Sequence, residues 1–67
     1  MKDYQKRLIA EEKQLSENAK KLEDFIFENP VYETLSRQQQ KLSCQQLGAM
    51  EMYCRILRER IKLENIG

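Results

Sequence analysis

The sequence predicts an all-α fold: an antiparallel hairpin of two long helices joined by a short helical turn, assembling into a helical homo-oligomer. Three observations carry this reading. Apolar residues recur at helical spacing through two long stretches. A single break, holding the only proline, separates them. The second stretch carries more apolar surface than one partner helix covers. With 67 residues, two glycines and 34% charged residues, the chain has little material for a sheet and forms one domain over residues 1–67.

The first helix is expected from about Asp3 to Glu28. Leu8, Leu15 and Leu22 recur every seven residues, and Ala19 and Ile26 complete a seam with the 3,4 spacing of packed helices. Ile9 and Phe25 widen the stripe. Gln5 and Glu12 interrupt it near the start, so these turns either pack less tightly or face a polar site. The stretch "ENPVYETLS" ends the helix. Asn29 is driven out of the α region by Pro30, which suits the first turn of a new helix. Residues 30–35 are expected to form one short turn, with Val31, Tyr32 and Leu35 plugging the end of the hairpin.

Ser36 opens "SRQQ", which predicts a capping box between Ser36 and Gln39. The second long helix should run from about Arg37 to Glu64 and fray at Asn65 and Gly67. The short connection makes the two long helices antiparallel. One seam of the second helix is Leu47, Met50, Cys54, Leu57 and Ile61. A second row, Leu42, Ala49, Tyr53, Ile56 and Leu63, is broken by Gln46 and Arg60. A lone hairpin has no third element to cover that row, so other copies of the same chain are the expected cover.

Composition removes several function classes. There is no histidine, no Cys-x-x-Cys pair and no glycine-rich phosphate loop, so no metal, cofactor or catalytic residue is expected. Glu11 and Glu12 are adjacent on a helix and point apart, which prevents an acid–base pair. Cys44 and Cys54 are about 15 Å apart along one helix, beyond disulfide reach, and are expected to pack as two small buried hydrophobes. No run reaches the length of a membrane span and there is no secretory h-region, so the chain reads as cytoplasmic. A net charge of +1, with acids scattered through each basic stretch, disfavours polymeric nucleic acid.

Basic residues nevertheless gather at places where a small anion would be held. In an antiparallel hairpin, Arg58, Arg60 and Lys62 return toward Tyr4, Lys6 and Arg7, while Lys20 and Lys21 lie about four turns along. Guanidinium forks match phosphate oxygens, and a tyrosine ring offers a stacking face. The plainer reading is a solvated surface paired with Glu11, Glu17, Glu59 and Glu64. Arg60 interrupts an apolar row, where a charge either snorkels or awaits an anion.

The succession "YQKRLIAEEKQL…KKLEDFI", then an aromatic with "TL", then "QQLGAMEMYCRILRERI" resembles the helical-hairpin domain of the phage anti-CBASS protein 2 family. That domain is shared with a class of phage Thoeris anti-defence proteins. The likeness covers roughly residues 4 to 61. The resemblance implies a compact helical homohexamer in the bacterial host cytoplasm that sequesters cyclic di- and trinucleotides without cleaving them. It implies dinucleotide pockets between protomers, with Tyr4 stacking on a base and Lys21, beside Lys20, holding phosphate. It implies a separate trinucleotide site contacted by an arginine of the second long helix, Arg60 or its neighbour Arg58. Arg7 completes the set of expected ligand-binding residues. The second domain of the Thoeris inhibitors is not represented, so cyclised ADP-ribose products are not expected ligands. The alternative is an oligomeric, coiled-coil-like adaptor that binds a protein partner and no nucleotide.

Overall fold

The computed structural model describes residues 1–65. Two helices of nearly equal length, α1 (Asp3–Glu28) and α3 (Arg37–Leu63), flank the single turn α2 (Val31–Thr34). They pack side by side as a hairpin about 46 Å long and 15 Å across. Pairings such as Tyr4 with Glu64 and Glu12 with Arg58 make them antiparallel.

Each boundary has a local cause. At the start of α1, the Gln5 side chain accepts a hydrogen bond from the Lys2 backbone N–H at 3.0 Å. That satisfies an N–H outside the helical ladder. At its end Asn29 is extended, and its Oδ1 accepts from the Val31 N–H at 2.9 Å, which starts α2. Ser36 caps α3 by accepting from the Gln39 N–H at 3.1 Å. The expected return bond from the Gln39 side chain is absent among the described residues, so Ser36 acts as a simple N-cap. At the other end Asn65 has a left-handed φ of 56° and bonds back to Lys62, forming a cap where fraying was expected. Gly67 lies outside the described residues.

The two seams meet as their spacing requires. The buried apolar side chains are Leu8, Ala19 and Ile26 of α1 and Leu47, Cys54 and Leu57 of α3. Leu57 is completely enclosed, worth about 1.5–3 kcal/mol relative to an exposed leucine. Toward the turn, Ala19, Ile26 and Leu47 form a cluster supported by Leu22, Tyr32 and Met50. Tyr32 is the plug of the hairpin: its hydroxyl donates to the Gln40 carbonyl, and Gln40 Nε2 donates back to the Tyr32 carbonyl. Leu35 is half-buried but Val31 is exposed, so only two of the three expected plug residues close the end.

The cysteines diverge from expectation. Cys54 is buried, but Cys44 is exposed, with its sulfur 3.4 Å from the Tyr32 hydroxyl. The ten-residue separation turns them by about 1000°, which leaves them about 80° apart around the helix. Only one of them therefore lies on the seam. The second row of α3 behaves as its position dictates: Leu42, Ala49, Tyr53, Ile56 and Leu63 are all exposed.

Candidate ligand-binding surfaces

The polar breaks in the α1 seam have polar partners. Gln5 and Glu12 are half-buried against α3. Gln5 Nε2 donates to the Glu64 carboxylate at 2.9 Å. Glu12 faces Arg58, with Oε1 3.7 Å from Nε, while its Oε2 is enclosed without a hydrogen-bond partner. Arg58 also donates to the Ser16 hydroxyl at 3.4 Å. These positions set the chemistry of each flank of the hairpin.

On one flank α1 presents Tyr4, Arg7, Glu11, Lys21 and Phe25, and α3 presents Tyr53, Ile56 and Arg60. At 100° per residue the α1 positions fall within one arc beside the seam. The Tyr53 hydroxyl donates to the Glu11 carboxylate and ties the two helices together on this side. At the open end Tyr4, Leu8, Arg60, Leu63 and Glu64 line a concavity of about 190 Å³. Here the Tyr4 hydroxyl donates to Glu64. Hydrogen bonds from Tyr4 and Gln5 hold the Glu64 carboxyl below its ordinary pKa, and the charges of Lys2 and Arg60 act in the same direction. The same bond to Glu64 raises the Tyr4 phenol above its ordinary value.

Lys21 stands at the far end of this flank. It lines a concavity of about 580 Å³ with Asp24, Phe25, Glu28, Asn29 and Pro30. It makes no ion pair among the described residues, although Glu17 lies one turn before it in the favoured order. Its neighbour Lys20 points elsewhere. The Lys20 ammonium is 3.0 Å from Asp24, and that bond raises its pKa. Lys20 lines the opposite flank with Ser16, Ala19, Glu23, Glu51 and Arg55, where Arg58 also lies.

The six expected ligand residues thus divide into two groups. Tyr4, Arg7, Lys21 and Arg60 share one flank; Lys20 and Arg58 share the other. Arg58 does not approach Tyr4, contrary to the sequence reading, because a two-residue step turns the helix by about 200°. Lys62 pairs with Glu59 and does not join the Tyr4 corner either. Arg60 does reach Tyr4, but as an exposed side chain in an exposed row, so it bears no penalty of buried charge. Neighbouring positions on one helix signal proximity in sequence, not a shared face. Glu11 and Glu64, expected as partners of basic residues, instead accept hydrogen bonds from Tyr53 and Tyr4, and Gln5 also donates to Glu64. The interruption at Gln5 was the available signal for that last contact.

Comparison with known families decides the affiliation. The Sequestin family model matches residues 2–63. The chain belongs to the Sequestin family. Sequestin is the name of the phage anti-CBASS and anti-Thoeris sponge proteins, in agreement with the resemblance seen in the sequence. No curated protein and no solved structure matches the chain. The Sequestin match runs from before Tyr4 to beyond Arg60, so it takes in all six expected ligand residues. Among the described residues there is no cluster of three potential metal ligands, and no helix is long and apolar enough to cross a membrane.

Proposed function

We propose that this Sequestin-family hairpin sequesters cyclic oligonucleotide second messengers and blocks CBASS-type signalling, binding them intact between copies of the chain. Family membership supports a sequestering role. The observation that carries the rest is the placement of Tyr4 and Lys21. They share one flank but stand 17 residues apart on a single helix, about 25 Å along its axis. A compact ring spanning a stacked base and its own phosphate does not bridge that length. One chain therefore supplies a tyrosine half-site and a lysine half-site, and a second copy brings complementary halves together.

Self-association is supported by the surface of α3. Large apolar side chains at Leu42, Met52, Tyr53, Ile56 and Leu63 are exposed, against six buried apolar residues among the described residues. Small domains with cores of this size gain stability by association. A hexamer is the assembly that the family likeness implies. Binding proceeds without turnover in this reading, since none of the side chains near Tyr4 or Lys21 is an activated nucleophile or a paired acid and base.

A thermal-shift screen against cyclic di- and trinucleotides tests the proposal, because a ligand that binds the folded state raises its midpoint. The expected result is a concentration-dependent rise with at least one ring. Heating should then release that ring intact by chromatography. No rise across the panel favours the adaptor reading. Linearised product above a protein-free control favours a nuclease.

A further inference from the structure

The C-terminal turn of α1 breaks a local electrostatic rule. Carbonyl groups at a helix end disfavour negative charge, yet the last turn of α1 has no basic residue and carries Glu28. Its charge is felt by the Lys20 ammonium, which makes its ion pair elsewhere. Asp24 is engaged by Lys20, and the Asn29 Oδ1 is engaged by the Val31 N–H. Glu28 itself has neither a hydrogen bond from its side chain nor an ion pair among the described residues. It lines the same concavity as Lys21 and Phe25. A local rule broken with no cation in contact is expected where function requires it.

Spacing gives the three residues distinct tasks. Lys21, Phe25 and Glu28 stand at i, i+4 and i+7, so they lie on one stripe about 10 Å long. Phe25 is fixed perpendicular to Tyr32, with ring centroids 6.0 Å apart, and offers its apolar surface in the middle. An ammonium at one end, an aromatic ring at the centre and a free carboxylate at the other end match a nucleotide laid along the helix. Phosphate meets Lys21 and the base meets Phe25. A carboxylate is an acceptor with two oxygens. Beside a polyanionic ligand it is repulsive unless the base supplies donors to it. Guanine supplies two adjacent donors, N1–H and the N2 amine, whereas adenine sets its N6 amine beside the N1 acceptor.

We infer that this concavity selects guanine-bearing cyclic nucleotides, with Glu28 accepting from the guanine N1–H and N2–H edge. The inference rests on the reading of Lys21 as a phosphate ligand. Calorimetry with cyclic di-GMP and cyclic di-AMP, on the native chain and on Glu28→Gln, tests it. The native chain should bind the guanine ring at least tenfold more tightly. Glu28→Gln should weaken cyclic di-GMP about ten- to a hundredfold, as loss of a charge-assisted hydrogen bond does, and leave cyclic di-AMP unchanged or tighter. Glu28 is exposed, and the sizing profile and thermal midpoint of the variant should match or exceed the native values. Equal affinity for the two rings in the native chain, or equal loss of both in Glu28→Gln, overturns guanine selection and leaves sequestration standing. Binding of neither ring overturns both readings.

Discussion

The hydroxyl of Tyr4, in the first turn of α1, donates to the carboxylate of Glu64, one residue beyond the end of α3. This bond joins residues sixty positions apart and closes the open end of the hairpin. It also engages the tyrosine proposed to stack on a base. Tyr4 as a whole is 44% exposed, although its hydroxyl is held.

The tie predicts a pH dependence with a definite sign. Glu64 has a lowered folded pKa, so its stabilising contribution is present above the ordinary carboxylate value and is lost as pH falls below it. Tyr4 has a raised folded pKa, so its contribution is present below its ordinary value near 10 and is lost as pH rises past that. Thermal midpoints should be level at neutral pH and decline at both extremes. Tyr4→Phe should lower the neutral midpoint and flatten the acid decline while keeping nucleotide affinity, because the ring remains. Tyr4→Ala should lose both, with stacking worth about 1–3 kcal/mol. An unaltered acid decline in Tyr4→Phe would show that the bond contributes nothing.

Ile56 sits at the middle of the exposed row of α3 and is half exposed in the single chain. Ile56→Glu should dissociate the proposed assembly and lower the thermal midpoint, because in that reading association supplies much of the burial. Analytical ultracentrifugation of the native chain at micromolar concentration gives the control. A well-folded native monomer there would end the case for an oligomer.

The two adjacent lysines should differ sharply. Lys21→Ala removes an unpaired ammonium beside Phe25 and should weaken cyclic dinucleotides about ten- to a hundredfold. Lys20→Ala removes the surface pair that Lys20, on the opposite flank, makes with Asp24 at the edge of the Lys21 concavity; such pairs contribute about 0–1 kcal/mol, so affinity should fall far less than in Lys21→Ala. Arg60→Ala should act mainly on cyclic trinucleotides, because the family likeness separates that site from the dinucleotide pocket. Calorimetry on sized samples reads all three. Comparable losses from Lys20→Ala and Lys21→Ala would discredit the assignment of the flank.

Gly48 lies within α3, and a Cβ added there meets nothing within 4 Å. Gly48→Ala should therefore stabilise the chain by about 0.5–1 kcal/mol through the helix preference of alanine alone. Urea denaturation measures this directly. Loss of assembly in Gly48→Ala would instead locate a close approach of another copy at this position.

The sequence by itself determined the elements and their contacting faces. The spacing of Leu8, Ala19 and Ile26 against Leu47, Cys54 and Leu57 was legible because helical periodicity depends only on neighbours along the chain. Pro30 and Ser36 marked the turn for the same reason, since their effects are local. Tertiary structure decided which side chains meet across the hairpin. Adjacent residues such as Lys20 and Lys21 diverge by about 100°, so their partners depend on the rotation and register of two packed cylinders. Arg58 thereby met Glu12 and Ser16, and Arg60 met the Tyr4 corner. Cys44 was turned to solvent while Cys54 was enclosed. The bonds from Tyr4 to Glu64 and from Tyr53 to Glu11 have no local signature at all. They exist because packing of the apolar seams brings distant polar groups into reach.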